Sequence, residues 1–104
     1  MKSKTESMKN DLVLRVGKLA QSVQELSRIA LPQYAVEVEA ILKAQSRDSR
    51  RIEKCFDAML DFCFDDKMLV LYKRLCCYYY DIDPETTAFY VHAYREMWDE
   101  SPEQ

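Results

Sequence analysis

Apolar residues in the first third of the chain recur with the period of an amphipathic helix. From residue 11 to residue 31 they alternate in steps of four and three, a heptad seam of two and a half repeats. Val13, Ala20 and Ile29 widen this stripe, so both packing in a bundle and pairing in a two-stranded coiled coil fit the pattern. The seam positions are Leu12, Val16, Leu19, Val23, Leu26 and Ala30.

Pro32 interrupts the helical pattern. The residue before a proline is pushed out of the α region, which predicts the end of the first helix at about residue 31. Proline also fits the first turn of a helix, so a second helix of about 32–44 is expected to start there. The sequence leaves open whether residues 11–44 form two helices or one kinked helix.

Three further helices are predicted at about 49–64, 67–80 and 84–99. Each carries apolar residues at helical spacing and follows a short polar segment that contains aspartate or serine, the residue types that cap helix N-termini. We expect residues 1–104 to form a single helical domain, in which the polar ends, residues 1–8 and 100–104, are disordered.

Composition supports an all-α fold. The chain has one glycine and three prolines, too few for the tight turns of an all-β or dinucleotide-binding fold. Apolar residues make up 48% of the 104 residues, enough for a core. Short connections between predicted helices favour an antiparallel bundle of four to five helices.

Charge is unevenly distributed along the chain. Residues 1–54 carry eleven Lys/Arg against seven Asp/Glu, a net charge of +4, whereas residues 55–104 carry four against eleven, a net charge of −7. This bipolar distribution suits self-association or a charged protein partner, and it lacks the basic excess of a dedicated nucleic-acid-binding protein. The chain has no secretory or membrane-spanning pattern, so we expect a cytoplasmic protein that does not enter a membrane.

A basic cluster opens the predicted third helix: Arg47, Arg50, Arg51 and Lys54. Positive charge at a helix N-terminus opposes the helix dipole, so helix stability does not explain it. The cluster is a candidate electrostatic contact for an acidic partner or for nucleic acid. The alternatives are a solvated face and pairing with the acidic half of the same chain.

Aromatic residues are concentrated near the C-terminus. Tyr78, Tyr79 and Tyr80 are consecutive, so on a helix they spread over about 200° of its circumference, more than one core-facing stripe. Some of these rings should therefore lie outside the core, where they either form a partner interface or cap the end of the bundle. The candidate partner interface consists of Tyr78, Tyr80, Phe89, Tyr90, Tyr94 and Trp98.

The sequence contains no arrangement that predicts catalysis, a metal site or a cofactor. Cys55 and Cys63 lie on an apolar helical stripe and are expected in the core. His92 is the only histidine, and we expect it to be partly buried against an aromatic face. Whether Cys76-Cys77 or His92 has a chemical role stays open at this point.

These observations favour a non-enzymatic helical protein-interaction module, an adaptor or regulator whose partner is another protein or a second copy of itself. The heptad seam, the surplus aromatic residues and the bipolar charge all support self-association into a homo-oligomer. The alternative is a small nucleic-acid-binding regulator that uses the basic cluster.

Overall fold

Four helices make up the fold. The structure, a computed structural model, describes the backbone of residues 4–99 and the side chains of residues 10–99, and no strand occurs in this part of the chain. Connections of three to five residues turn the chain back on itself, which gives the expected all-α antiparallel bundle. The helices are α1 (Lys4–Ala44), α2 (Ser49–Leu60), α3 (Asp66–Tyr80) and α4 (Pro84–Trp98).

Residues 11–44 belong to one continuous helix with Pro32 inside it, so of the two alternatives left open by the sequence the single helix is the one observed. The ring of Pro32 lies on the exposed side of α1, while Leu31 and Tyr34 pack against the core on the other side. Proline inside a helix removes one backbone hydrogen bond and costs about 3 kcal/mol or more. Packing on both sides of Pro32 offsets this cost and keeps the helix continuous.

The ends of two helices differ from the expected bounds. α1 begins at Lys4, within the segment expected to be disordered, because residues 4–8 contain good helix formers and no breaker. α2 ends at Leu60, four residues early, because hydrogen bonds from the backbone nitrogens of Phe62 and Cys63 to carbonyls three residues back tighten its last turn. Residues 1–3 and 100–104, also expected to be disordered, lie outside the described part of the chain.

An aspartate caps the N-terminus of each of the three shorter helices. The side chains of Asp48, Asp65 and Asp83 accept hydrogen bonds from first-turn backbone nitrogens at 3.3, 2.8 and 3.1 Å. Such caps satisfy backbone donors that would otherwise have no partner. They fix where α2, α3 and α4 start, and the sequence-based starts for these helices agree within one residue.

The core lies between the C-terminal half of α1 and the other three helices, with α3 in contact with all of them. Phe56 is its central ring, because it packs edge-on against Tyr72 and stacks on Tyr90. The buried apolar residues are Val38, Ile41, Ile52, Cys55, Phe56, Met59, Cys63, Met68, Leu71, Tyr72, Leu75, Tyr79 and Tyr90.

The N-terminal half of α1 extends beyond this core. Every residue from Asn10 to Ser22 is exposed, and the first buried residue after Asn10 is Ser27. The radius of gyration is 18.2 Å, compared with about 13 Å for a compact domain of this length. We refer to residues 10–26 of α1 as the arm and to residues 27–44 as the base.

Candidate protein-interaction site

Tyr90, one of the six candidate interface aromatics, belongs to the core. It is 5% exposed, and its ring stacks on Phe56 with centroids 4.5 Å apart. Its hydroxyl donates a hydrogen bond of 2.9 Å to Oδ1 of Asp57, and burial raises the pKa of this hydroxyl. The prediction that Tyr90 faces a partner was therefore wrong, because α2 covers this side of α4.

Tyr78, Tyr94 and Trp98 are half-buried braces between helices. The hydroxyl of Tyr78 donates to the carbonyl oxygen of Ser46 at 2.6 Å, and Nε1 of Trp98 donates to the carbonyl oxygen of Leu60 at 2.7 Å. Tyr94 packs against the core. These rings cap the bundle, with the polar atoms of Tyr78 and Trp98 satisfied within the chain, which agrees with the second of the two sequence-based interpretations.

Only Tyr80 and Phe89 of the six aromatics are largely free, at 59% and 65% exposure. They lie on different helices, at the end of α3 and in the middle of α4. α4 buries a line through Thr87, Tyr90 and Tyr94, which turns Phe89 outward. Two separate rings make a smaller surface than the continuous aromatic interface that the sequence suggested.

Arg51 of the basic cluster pairs with a carboxylate of its own chain. Its Nε and one terminal nitrogen donate to the two carboxylate oxygens of Glu37 on the base, at 3.0 and 2.9 Å. This hydrogen-bonded pair lowers the pKa of Glu37 and raises that of Arg51. A cation at the N-terminus of α2 is unfavourable for the helix dipole. The pair with Glu37 offsets this cost, because it joins α2 to α1 through two charge-assisted hydrogen bonds.

The other three basic residues, Arg47, Arg50 and Lys54, are exposed. Arg50 and Lys54 line a shallow depression of about 480 Å³ together with the carboxylates of Glu37 and Asp48. Charges of both signs therefore meet at this depression. Such a mixture is a weaker anion site than four unpaired cations would be.

Burial keeps three of the four cysteines unreactive. Cys55 and Cys63 are buried as expected, and burial raises their pKa values to about 11 and about 12. Burial also raises the pKa of Cys76 to about 11, whereas Cys77 is exposed. All four are free thiols. Thiols with raised pKa values are poor nucleophiles at neutral pH, since the thiolate is the reactive form.

His92 lies on the surface, so the expectation that it is partly buried was wrong. Its Nε2 is 3.1 Å from Oε1 of Glu96, one helical turn later, and both side chains are exposed. Among the residues that the structure describes, no three His, Cys, Asp or Glu side chains are grouped so that they could hold a metal ion.

The arm carries a row of exposed apolar residues along its seam. Four of its seam residues, Leu12, Val16, Leu19 and Leu26, are 56–65% exposed, and Val23 is half-buried. Monomeric proteins rarely expose a continuous apolar stripe of this length. The bare seam is therefore the strongest candidate contact surface within residues 10–99.

The far side of the arm is polar, so the arm is amphipathic along its length. Lys18, Gln21 and Glu25 lie together there, and Leu14 is the large apolar exception on that side. Arg15 forms an ion pair of 3.1 Å with Asp11 of the same helix. The polar groups of the arm thus find solvent or local partners, whereas most of its apolar groups stay uncovered by the described residues.

The period of the seam is visible in the sequence, but its exposure is not. Helices α2, α3 and α4 have 12, 15 and 15 residues, and α1 has 41. Three short helices cover only part of such a long one. The predicted break at Pro32 divided α1 into two short segments and concealed this mismatch in length.

None of the four helices, over the residues described, combines the length and the apolar content needed to cross a bilayer. Comparison of the chain with protein-family models, with curated proteins and with solved structures gives no match.

Proposed function

We propose that this protein is a non-enzymatic helical interaction module, an adaptor or regulator, which self-associates through its arm. The observation that carries the proposal is the bare heptad seam on a continuous helix. The bundle holds the base of α1 firmly, and the arm presents the seam to a partner.

Burial of the seam supplies the driving force. Complete burial of a leucine or valine side chain stabilises an assembly by about 1.5–3 kcal/mol. Each chain offers five such side chains on one face of the arm: Leu12, Val16, Leu19, Val23 and Leu26. Association of two arms would remove most of this apolar surface from water without any change in the bundle.

The surroundings of the cysteines and of His92 support a non-enzymatic role, and the number of free cysteines supports a reducing compartment such as the cytoplasm. The buried thiols have raised pKa values, and His92 lies on the open surface with only Glu96 beside it. Four free cysteines in one small chain are typical of a compartment that keeps thiols reduced. We therefore propose a cytoplasmic location.

Two leucines on opposite sides of the arm test the proposal. Leu19 lies in the seam and Leu14 on the polar side, and both are 65% exposed. In sedimentation velocity over a range of concentrations, we expect the wild type and Leu14→Glu to form dimers. Leu19→Glu should stay monomeric, because a charge in the seam opposes its burial.

Either of two results would overturn the proposal. One is a wild-type chain that stays monomeric up to high micromolar concentration. The other is a Leu19→Glu variant that associates as well as Leu14→Glu does.

Nucleic-acid binding is the second candidate function. The exposure of Arg47, Arg50 and Lys54 favours it, whereas the pairing of Arg51 with Glu37 and the net charge of −3 count against it. It predicts binding in a gel-shift assay at low salt that weakens with added salt and with Arg50→Glu. Equal migration of DNA and RNA with and without protein would exclude it.

A further inference from the structure

We infer that two copies of this chain pair their arms antiparallel, so that the arm of each copy ends at the bundle of the other. The inference rests on the proposed self-association and adds its geometry. Three observations support it: the position of the bundle relative to the seam, the residues that face each other across the pair, and the distribution of charge.

The bundle occupies the space in front of the seam just beyond Leu26. Ala30, the next seam position, packs against the chain's own core, and Ser27 is buried. A parallel partner helix continues in the same direction, so it would run along the seam side into the space that the chain's own bundle fills. An antiparallel partner helix runs the other way, so only its first residues, about 4–8, come level with the bundle.

The seam residues match well in the antiparallel arrangement. In heptad terms Val16 and Val23 occupy a positions, and Leu12 and Leu19 occupy d positions. If Leu12 lies opposite Val23 of the second copy, Val16 lies opposite Leu19 of that copy. Each of the four resulting layers then contains one leucine and one valine, so the layers have equal volume and the arms stay evenly spaced. Leu26 lies beyond these layers, at the end of the arm next to the bundle.

Residues that flank the seam place no like charges against each other. The flanking positions are Val13, Arg15, Ala20 and Ser22, and the one charge among them is paired with Asp11 on its own helix. The small side chains of Ala20 and Ser22 allow close approach of the two arms.

Overall charge also favours this orientation. The arm itself is neutral, but residues 1–26 together carry five Lys/Arg against three Asp/Glu, a net charge of +2. Residues 27–104, which form the bundle, carry ten against fifteen, a net charge of −5. Antiparallel pairing sets the basic N-terminal segment of one copy beside the acidic bundle of the other. Because the two contacts are equivalent, the pair is closed by a twofold axis and does not grow into a filament.

Disulfide trapping distinguishes the orientations. Equal amounts of Leu12→Cys and Val23→Cys protein are mixed, oxidised gently and digested, and the linked peptides are identified by mass spectrometry. Opposed positions in a layer are close enough for a disulfide. In the mixture, we expect the dominant disulfide to join a Leu12→Cys chain to a Val23→Cys chain through the introduced thiols. Each variant alone should give only background cross-linking at its new cysteine.

Peptide mapping keeps the introduced cysteines separate from the four native ones, and Leu14→Cys on the polar side serves as the control that should not link. Dominant disulfides between two Leu12→Cys chains, and between two Val23→Cys chains, would overturn the antiparallel inference and leave self-association through the seam intact. A dimer by sedimentation without any link at these positions would also overturn it. A monomer in sedimentation would instead remove the proposed function itself.

Discussion

The arm and the base of α1 are two parts of one helix with the same kind of apolar stripe, yet only the base is covered. Val38 on the base is fully buried, whereas Val16 on the arm is 59% exposed. The spacing of apolar residues thus predicts which face of a helix is buried. The lengths of the other helices determine how much of that face is buried within one chain. We interpret the uncovered part as the surface for a second copy.

Polar contacts differ between the two parts in the same way. On the base, Glu37 pairs with Arg51 of α2, so the interaction joins two helices. On the arm, Asp11 pairs with Arg15 of the same helix, so the interaction joins no second element. The base is therefore held by both apolar and polar contacts, whereas the arm is held mainly by its own helical hydrogen bonds.

The largest difference in stability between the base and the arm should appear when one valine in each is replaced by alanine. Val38→Ala removes two buried methyl groups and leaves a cavity, so we expect it to lower the free energy of unfolding by about 2 kcal/mol. Val16→Ala should change it by less than about 0.5 kcal/mol in the monomer. Urea unfolding at a concentration where the chain is monomeric measures both. Equal losses at the two positions would mean that the arm is packed within one chain.

A smaller difference in stability between the base and the arm is expected when one ion pair is removed from each. Glu37→Gln removes a contact between helices and should lower Tm by about 1–5 °C at neutral pH, because partly exposed pairs contribute little. Asp11→Asn should leave Tm unchanged. The lowered pKa of Glu37 means that its contribution is present at neutral pH and is lost as the pH falls through the acidic range.

The pH dependence provides the control for that pair. Thermal unfolding of the wild type and of Glu37→Gln should differ at pH 7 and converge as Glu37 becomes protonated. A difference between the two that grows towards acidic pH would contradict the assigned role of Glu37.

A small loss of stability is predicted even for the largest change to the chain. Removal of residues 1–22 takes away most of the arm, but every residue from Asn10 to Ser22 is exposed. We therefore expect the free energy of unfolding of the monomer to fall by less than about 1 kcal/mol. Circular dichroism during urea unfolding measures this, and a truncated chain that fails to fold would show that the bundle depends on the arm.

Much of the fold follows from the sequence. Asp48, Asp65 and Asp83 are local signals, and each fixes the start of a helix through contacts within a few residues. Pro32 is also a local signal, but here packing of the base on the other helices overrides it. Local chemistry therefore predicted the starts of α2, α3 and α4, and tertiary contacts decided the outcome at Pro32.

The site was less predictable, because exposure depends on contacts between residues far apart in sequence. Tyr90 and Phe89 are adjacent and similar, yet the first stacks on Phe56 and the second faces solvent. The sequence of α4 alone does not indicate whether Phe89 or Tyr90 packs against α2. The seam was visible in the sequence because its period depends on one helix alone and on no contact with another helix.

Amide hydrogen exchange at two protein concentrations tests most directly whether a second copy covers the arm. At low concentration, we expect arm amides to exchange rapidly and base amides around Val38 to be protected. At high concentration the arm amides should gain protection, the base should change little, and Leu19→Glu should abolish the gain. Rapid exchange of the arm at every concentration would contradict the account.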